Sequence, residues 1–125
     1  MLLGKGGKAG DELARRLAAG EAVSAPHLLD VEVAQVIRRY ALKGELSPAF
    51  AQMLVDDLTQ LPITRYPHLG LVNRALEMLS NVTVYDGTYL ALAEALDCPL
   101  LTGDQALMGI PGCTAEVHVL STGQS

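Results

Sequence analysis

Short apolar runs closed off by proline or glycine, with helix-patterned segments between them, constrain this chain more than any other feature. Ile63 to Tyr66 is strand-length and bounded by Pro62 and Pro67. Pro99 to Thr102 is a second such run, ending in Thr-Gly-Asp, and Ala22 to Ala25 is a third, just before Pro26. Glu116 to Leu120 follows Pro111-Gly112 as a last one. Strands that alternate with helices, rather than follow one another, imply parallel pairing through helical crossovers and hence an α/β fold.

The helices between them are legible from spacing and punctuation. From Leu28 to Lys43, the residues Leu29, Val33, Val36, Ile37, Tyr40 and Ala41 recur at helical spacing, and Gly44 ends the segment. Ser47-Pro48 supplies an N-cap followed by a proline suited to the first turn, opening a helix to about Leu61. A helix from about Gly10 to Ala19, closed by Gly20, carries Leu13 and Leu17 on one face. Leu71 to Leu79, Asp86 to Leu96 and Gln105 to Met108 read as further helices, with Asn81 to Tyr85 as a loop leading into Asp86. The leading Met1 to Gly7 reads as a helix end running into a glycine loop, and Ser121 to Ser125 as a polar tail.

Composition narrows the class. At 125 residues the chain is the size of one domain, and half of it is apolar with only 4% aromatic, so Leu, Ala and Val must build the core. A formal charge of −5 argues against a broad nucleic-acid footprint, yet an acidic metal pocket is also negative until its ion binds. Arg15, Arg16, Arg38, Arg39 and Lys43 crowd the first 43 positions and read as solvated helix faces. Cys98 and Cys113 make neither a disulfide framework nor a zinc pattern, which suits a reducing cytoplasm with both thiols at least half-buried. No apolar run reaches the length of a membrane span, and the start does not read as a signal peptide. His27, His68 and His118 are far apart in sequence and form no short ligand pair.

Three acids stand out, although each has an ordinary explanation. Glu32 lies beside the apolar stripe of its helix, flanked by Leu28, Leu29 and Val36, where a carboxylate must be edge-exposed, paired or metal-bound. Asp86 and Asp104 sit where helices begin, and an aspartate there commonly caps. Together they are more telling. Asp104 falls just past a strand's carboxyl end, and the helices bearing Asp86 and Glu32 should start at that same edge, where α/β sheets place their sites. Three converging carboxylates repel unless a cation lies between them, and an oxygen-only donor set suits Mg²⁺ or Mn²⁺.

At this point the chain resembles a known family. Ala25-Pro26-His27-Leu28-Leu29-Asp30-Val31-Glu32-Val33, then Tyr85-Asp86-Gly87-Thr88-Tyr89-Leu90-Ala91-Leu92-Ala93-Glu94, then Leu100-Leu101-Thr102-Gly103-Asp104 are similar in order and spacing to the PIN domains of bacterial VapC toxins. The resemblance implies a three-layer PIN-like α/β domain over residues 1–125, with a mostly parallel central sheet flanked by helices. It implies a metal-dependent endoribonuclease of a toxin–antitoxin pair, with Glu32, Asp86 and Asp104 as catalytic metal ligands and Thr102 as a hydroxyl on the substrate side. It also implies RNA as substrate, a cognate antitoxin covering the acidic pocket, and a homodimer formed through the flank from Leu46 to Leu61. Phe50, Met53 and Leu54 could serve that dimer or be ordinary core. The family's usual opening strand and its aspartate have no counterpart here, since Asp11 lies too late and in the wrong element. The expectation is therefore an N-terminally incomplete domain, either because the true start lies upstream or because the chain is an inactive remnant that still binds an antitoxin. A receiver-like signalling domain would need a lysine after its last strand, and there is none beyond Lys43.

Overall fold

The computed structural model describes residues 15–119. The elements in chain order are β1 (Val23–Pro26), α1 (Leu28–Leu42), α2 (Pro48–Gln60), β2 (Ile63–Tyr66), α3 (Val72–Glu77), α4 (Val84–Leu96), β3 (Leu100–Thr102) and β4 (Val117–Val119). Short 3-10 turns at Leu69–Leu71 and Gln105–Leu107 precede α3 and follow β3. Residues 15–18 are helical and end at Gly20, whose φ of 78° is the left-handed conformation that makes glycine the natural stop. The readings placed on Met1 to Gly7, on the first part of the Gly10 to Ala19 helix and on the C-terminal tail lie outside the described residues.

All observed strand pairing is parallel, as expected. Strand β1 pairs with β2 in the register Val23↔Ile63 to Pro26↔Tyr66, and β3 pairs with β4 from Leu100↔Val117 to Thr102↔Val119. Instead of one continuous sheet, the described strands form two parallel pairs with no ladder between β1 and β3. An open cleft of about 490 Å³ lies between them, lined by Val23 and Ser24 on one side, Leu100 and Leu101 on the other, and Tyr89 and Leu92 from α4.

Helix α4 spans that division. Its residues Gly87 to Ala93 are buried without a break, so it is apolar on all sides, as a central helix must be. It packs on β1, β3 and α3. Tyr89, Leu90 and Ala91 join Val23, Ala25, Leu29, Ile63, Met78, Leu100 and Leu107 in one core cluster. The approach to α3 is close: a Cβ at Gly87 would stand 3.1 Å from both the Cβ and the carbonyl oxygen of Ala75.

Two arginine clasps fix the outer elements. Arg65, at the end of β2, donates to both carboxylate oxygens of Asp30 on α1 at 2.9 and 3.1 Å, and to the carbonyls of Leu58, Leu61 and Ile63. Arg74 of α3 donates to both oxygens of Glu94 on α4 at 2.7 and 2.9 Å, and to the Gly112 carbonyl. Glu94 also accepts from the amide and hydroxyl of Thr114. Such bidentate pairs fix geometry as well as adding attraction.

Several expected boundaries shift. The helix read as Leu71 to Leu79 is a 3-10 turn followed by the six residues of α3. Val84 and Tyr85, read as loop, are helical, because Thr83 and not Asp86 caps α4: its Oγ1 accepts from the Asp86 amide at 3.2 Å. Cys98 is exposed rather than buried, and Cys113 is half-buried. Phe50 and Met53 are not core, standing 44% and 50% exposed on α2.

Two measurements follow from this packing. Gly87→Val should lower unfolding free energy by about 2 kcal/mol in urea titrations, since the added carbons meet Ala75 backbone. Unchanged stability would mean that α3 and α4 can part without cost. Hydrogen bonding to Arg74, aided by Thr114 and Cys113, lowers the Glu94 carboxyl from 4.5 to about 2. A depressed folded pKa contributes stability above the unfolded value and loses it as pH falls toward the folded one. The stability gap between wild type and Glu94→Gln should therefore narrow from pH 5 to pH 2.5, and a constant gap would exclude a titrating clasp.

Candidate metal centre

The three singled-out acids sit on separate elements around the carboxyl ends of β1 and β3. Glu32 is in the second turn of α1, which begins two residues after β1 ends. Asp86 is the third residue of α4, and Asp104 follows β3 by two residues. Glu32 and Asp86 are half-buried, and Asp104 is exposed.

Each carboxylate is held differently. Glu32 Oε1 accepts a 2.6 Å hydrogen bond from the Tyr89 hydroxyl of α4. Asp104 Oδ1 accepts from the Ala106 amide at 2.9 Å, so capping does explain part of its role. Its own amide donates to Thr102 Oγ1 at 3.0 Å, and Thr102 is fully buried. The Thr102 hydroxyl thus anchors the turn that carries Asp104. Asp86 makes no cap: Thr83 has taken that position, and the Asp86 side chain has no hydrogen bond to a described residue.

The electrostatics single out Asp86. Burial raises its pKa first, and the charges of Asp104 and then Glu32 push it further up. The last two causes are the signs of a carboxylate that feels two others. Among the described residues, none of the three takes part in an ion pair.

This donor set fits a hard divalent cation in kind: oxygen ligands only, mutual repulsion and no compensating cation among the described residues. It does not amount to a closed shell, since no three His, Cys, Asp or Glu side chains among the described residues are gathered to hold an ion. Asp104 and Glu32 each keep one oxygen outside the hydrogen bonds above, and Asp86 keeps both.

Sequence reasoning missed two features here. Tyr89 stood inside a quoted motif, yet nothing in the sequence links it to Glu32 57 residues away. His27 and His68, distant in sequence, meet edge to face with ring centroids 6.3 Å apart. That contact is a packing pair at the β1–β2 end, where His27 also donates its amide to the Tyr66 carbonyl.

Comparison with known proteins finds relatives named as ribonucleases. The chain is 42% identical to ribonuclease VapC1 of Mycobacterium tuberculosis over 116 residues, covering 91% of this chain and 87% of that protein. It is 42% identical to ribonuclease VapC9 of the same organism over 97 residues, 78% of this chain and 76% of the relative. Ribonuclease VapC12 is 39% identical over 113 residues, 90% of this chain and 87% of its own length. No family model matches the chain.

The repulsion at Asp86 has a measurable cost. Its raised pKa means that the folded state disfavours the charged form, so this group's contribution improves as pH falls, opposite in sign to Glu94. Asp86→Asn should raise the melting temperature in EDTA at pH 7 by about 2 °C, a modest gain because the site is partly solvated. A lower melting temperature would show that Asp86 is held by attraction and not by packing against it.

Proposed function

The chain belongs to the VapC ribonuclease family, and from that premise we propose that it is the toxin of a type II toxin–antitoxin pair. Its reaction is endonucleolytic hydrolysis of RNA phosphodiester bonds in the cytoplasm. The observation that carries the reading is Asp86, a half-buried carboxylate with no cap to make, its pKa raised by burial and then by the charges of Asp104 and Glu32. A structural aspartate would be paired or would cap. This one is left beside two other acids, which is the pattern of a functional site.

Glu32, Asp86 and Asp104 would hold Mg²⁺, with Mn²⁺ as a substitute. When bound, that ion supplies a water of lowered pKa and stabilises charge on the phosphate and leaving oxygens. The chain's own residues supply placement. The Asp104 turn is tied through its amide to the buried Thr102 and through Oδ1 to Ala106, which limits where its free oxygen can sit. Thr102 serves the substrate side by holding that turn against the RNA strand. The first residues of α4 approach the same place, where the positive end of the helix dipole favours phosphate.

The partners follow from the same reading. An acidic pocket on a chain of net charge −5 suits an antitoxin that inserts a basic side chain. Phe50 and Met53, exposed on α2, suit a homodimer formed through that flank. Among the described residues no helix is long and apolar enough to cross a membrane.

The test is RNA cleavage by the purified chain with Mg²⁺, Mn²⁺ or EDTA. Asp86→Asn and Asp104→Asn should each lower cleavage by at least about 100-fold, the upper end of what disturbed ligand support alone costs. Cleavage that survives EDTA and both substitutions would sink the metal-dependent reading. A wild-type chain that captures its antitoxin but cuts nothing would establish the inactive, antitoxin-binding alternative.

A further inference from the structure

We propose that Tyr89 is a positioning residue of this site: its phenol fixes the Glu32 carboxylate of α1 at a set place relative to Asp86 on its own helix. The inference deepens the metal-centre reading above and rests on it.

The geometry is specific. Tyr89 is fully buried and is the largest such side chain in the core. A buried tyrosine hydroxyl needs a partner, and a backbone carbonyl would ordinarily serve. Here the partner is a candidate metal ligand, at 2.6 Å, the short distance of an O–H donor on a charged acceptor. Tyr89 lies three residues after Asp86, so the two share a face of α4 one turn apart. One helix therefore presents a carboxylate directly and steadies a second carboxylate through the phenol beside it.

The donor role is also durable. A phenol is protonated at neutral pH, so it can donate to Glu32 whether or not its surroundings shift it. Because only Oε1 is engaged, the other Glu32 oxygen is left for an ion. A carboxylate already held in place loses less freedom on binding a cation, the usual contribution of a group behind a metal ligand. Tyr89 also forms part of the wall of the cleft between β1 and β3. It thus touches both the division in the sheet and a carboxylate of the site.

Tyr89→Phe keeps the ring and removes only the donor, so circular dichroism and the melting curve should stay close to wild type. Mn²⁺ affinity, read from loss of the free-ion electron paramagnetic resonance signal on titrating the whole chain, should weaken about tenfold. The Mg²⁺ concentration for half-maximal RNA cleavage should rise by the same factor, with the rate at saturating Mg²⁺ largely restored. In a Glu32→Gln background, Tyr89→Phe should add little, since both changes remove the same interaction. If Tyr89→Phe binds Mn²⁺ as tightly as wild type, or weakens it equally with and without Glu32, the positioning role is overturned and the metal centre stands. If wild type shows no Mn²⁺ binding and Asp86→Asn changes nothing, the metal centre falls and this role falls with it.

Discussion

Everything described here hangs on the burial of one helix. Among the described residues the β1–β2 and β3–β4 pairs share no ladder, so no described strand pairing keeps them in register. What both pairs touch is α4, whose seven residues from Gly87 to Ala93 are withdrawn from water. A run such as Gly-Thr-Tyr-Leu-Ala-Leu-Ala has no polar face to offer solvent, and Thr88 disposes of its hydroxyl internally by donating to the Val84 carbonyl at 2.7 Å. Hydrophobic burial is non-directional, however, and would not by itself set an angle between two strand pairs. The directional work falls to the close seat of Gly87 on Ala75 and to two hydrogen-bonded contacts of α4, Tyr89 donating to Glu32 and Glu94 accepting from Arg74.

The site inherits this dependence. Glu32 rides on α1 beside the first strand pair, Asp104 on the turn after β3 in the second, and Asp86 on the helix between them. The distance between Glu32 and Asp104 is therefore set by how α4 holds two bodies that no ladder joins. This explains how three carboxylates can be close enough for Asp86 to feel the other two, yet not be drawn into a shell.

Much of this was legible in the sequence, for local reasons. Ile63–Tyr66 was bounded correctly because prolines stand on both sides, and α2 because Ser47 and Pro48 mark its first turn. Gly44, with φ of 78°, ended α1 as read. The start of α4 was misplaced although its signal was present: Thr83-Val84-Tyr85-Asp86 has the spacing of a hydroxyl cap followed three residues later by an acid. Reading Asp86 as the cap moved the helix by two residues and supplied the acid with a false ordinary role. The exposure of Phe50 and Met53 was not legible, because helical spacing shows that residues share a face and not what that face meets. Nor were Tyr89 with Glu32 or Arg65 with Asp30, pairs 57 and 35 residues apart that only the tertiary fold brings together.

Among the described residues, the distribution of cations supports the proposal of an ion at the centre. Arg65 is spent on Asp30 and three carbonyls, and Arg74 on Glu94, Glu77 and the Gly112 carbonyl, all away from the three site acids. A fold selected only for stability would turn one such guanidinium toward Asp86, where it would remove the repulsion and gain a charge-assisted hydrogen bond. Instead, the structural acids Asp30 and Glu94 are matched by bidentate arginines, while among the described residues Glu32 accepts from a neutral phenol and Asp104 from the Ala106 amide. Neutral donors can hold a carboxylate in place without cancelling its charge. That is the arrangement required of ligands that must be fixed in position and still attract a cation from solution.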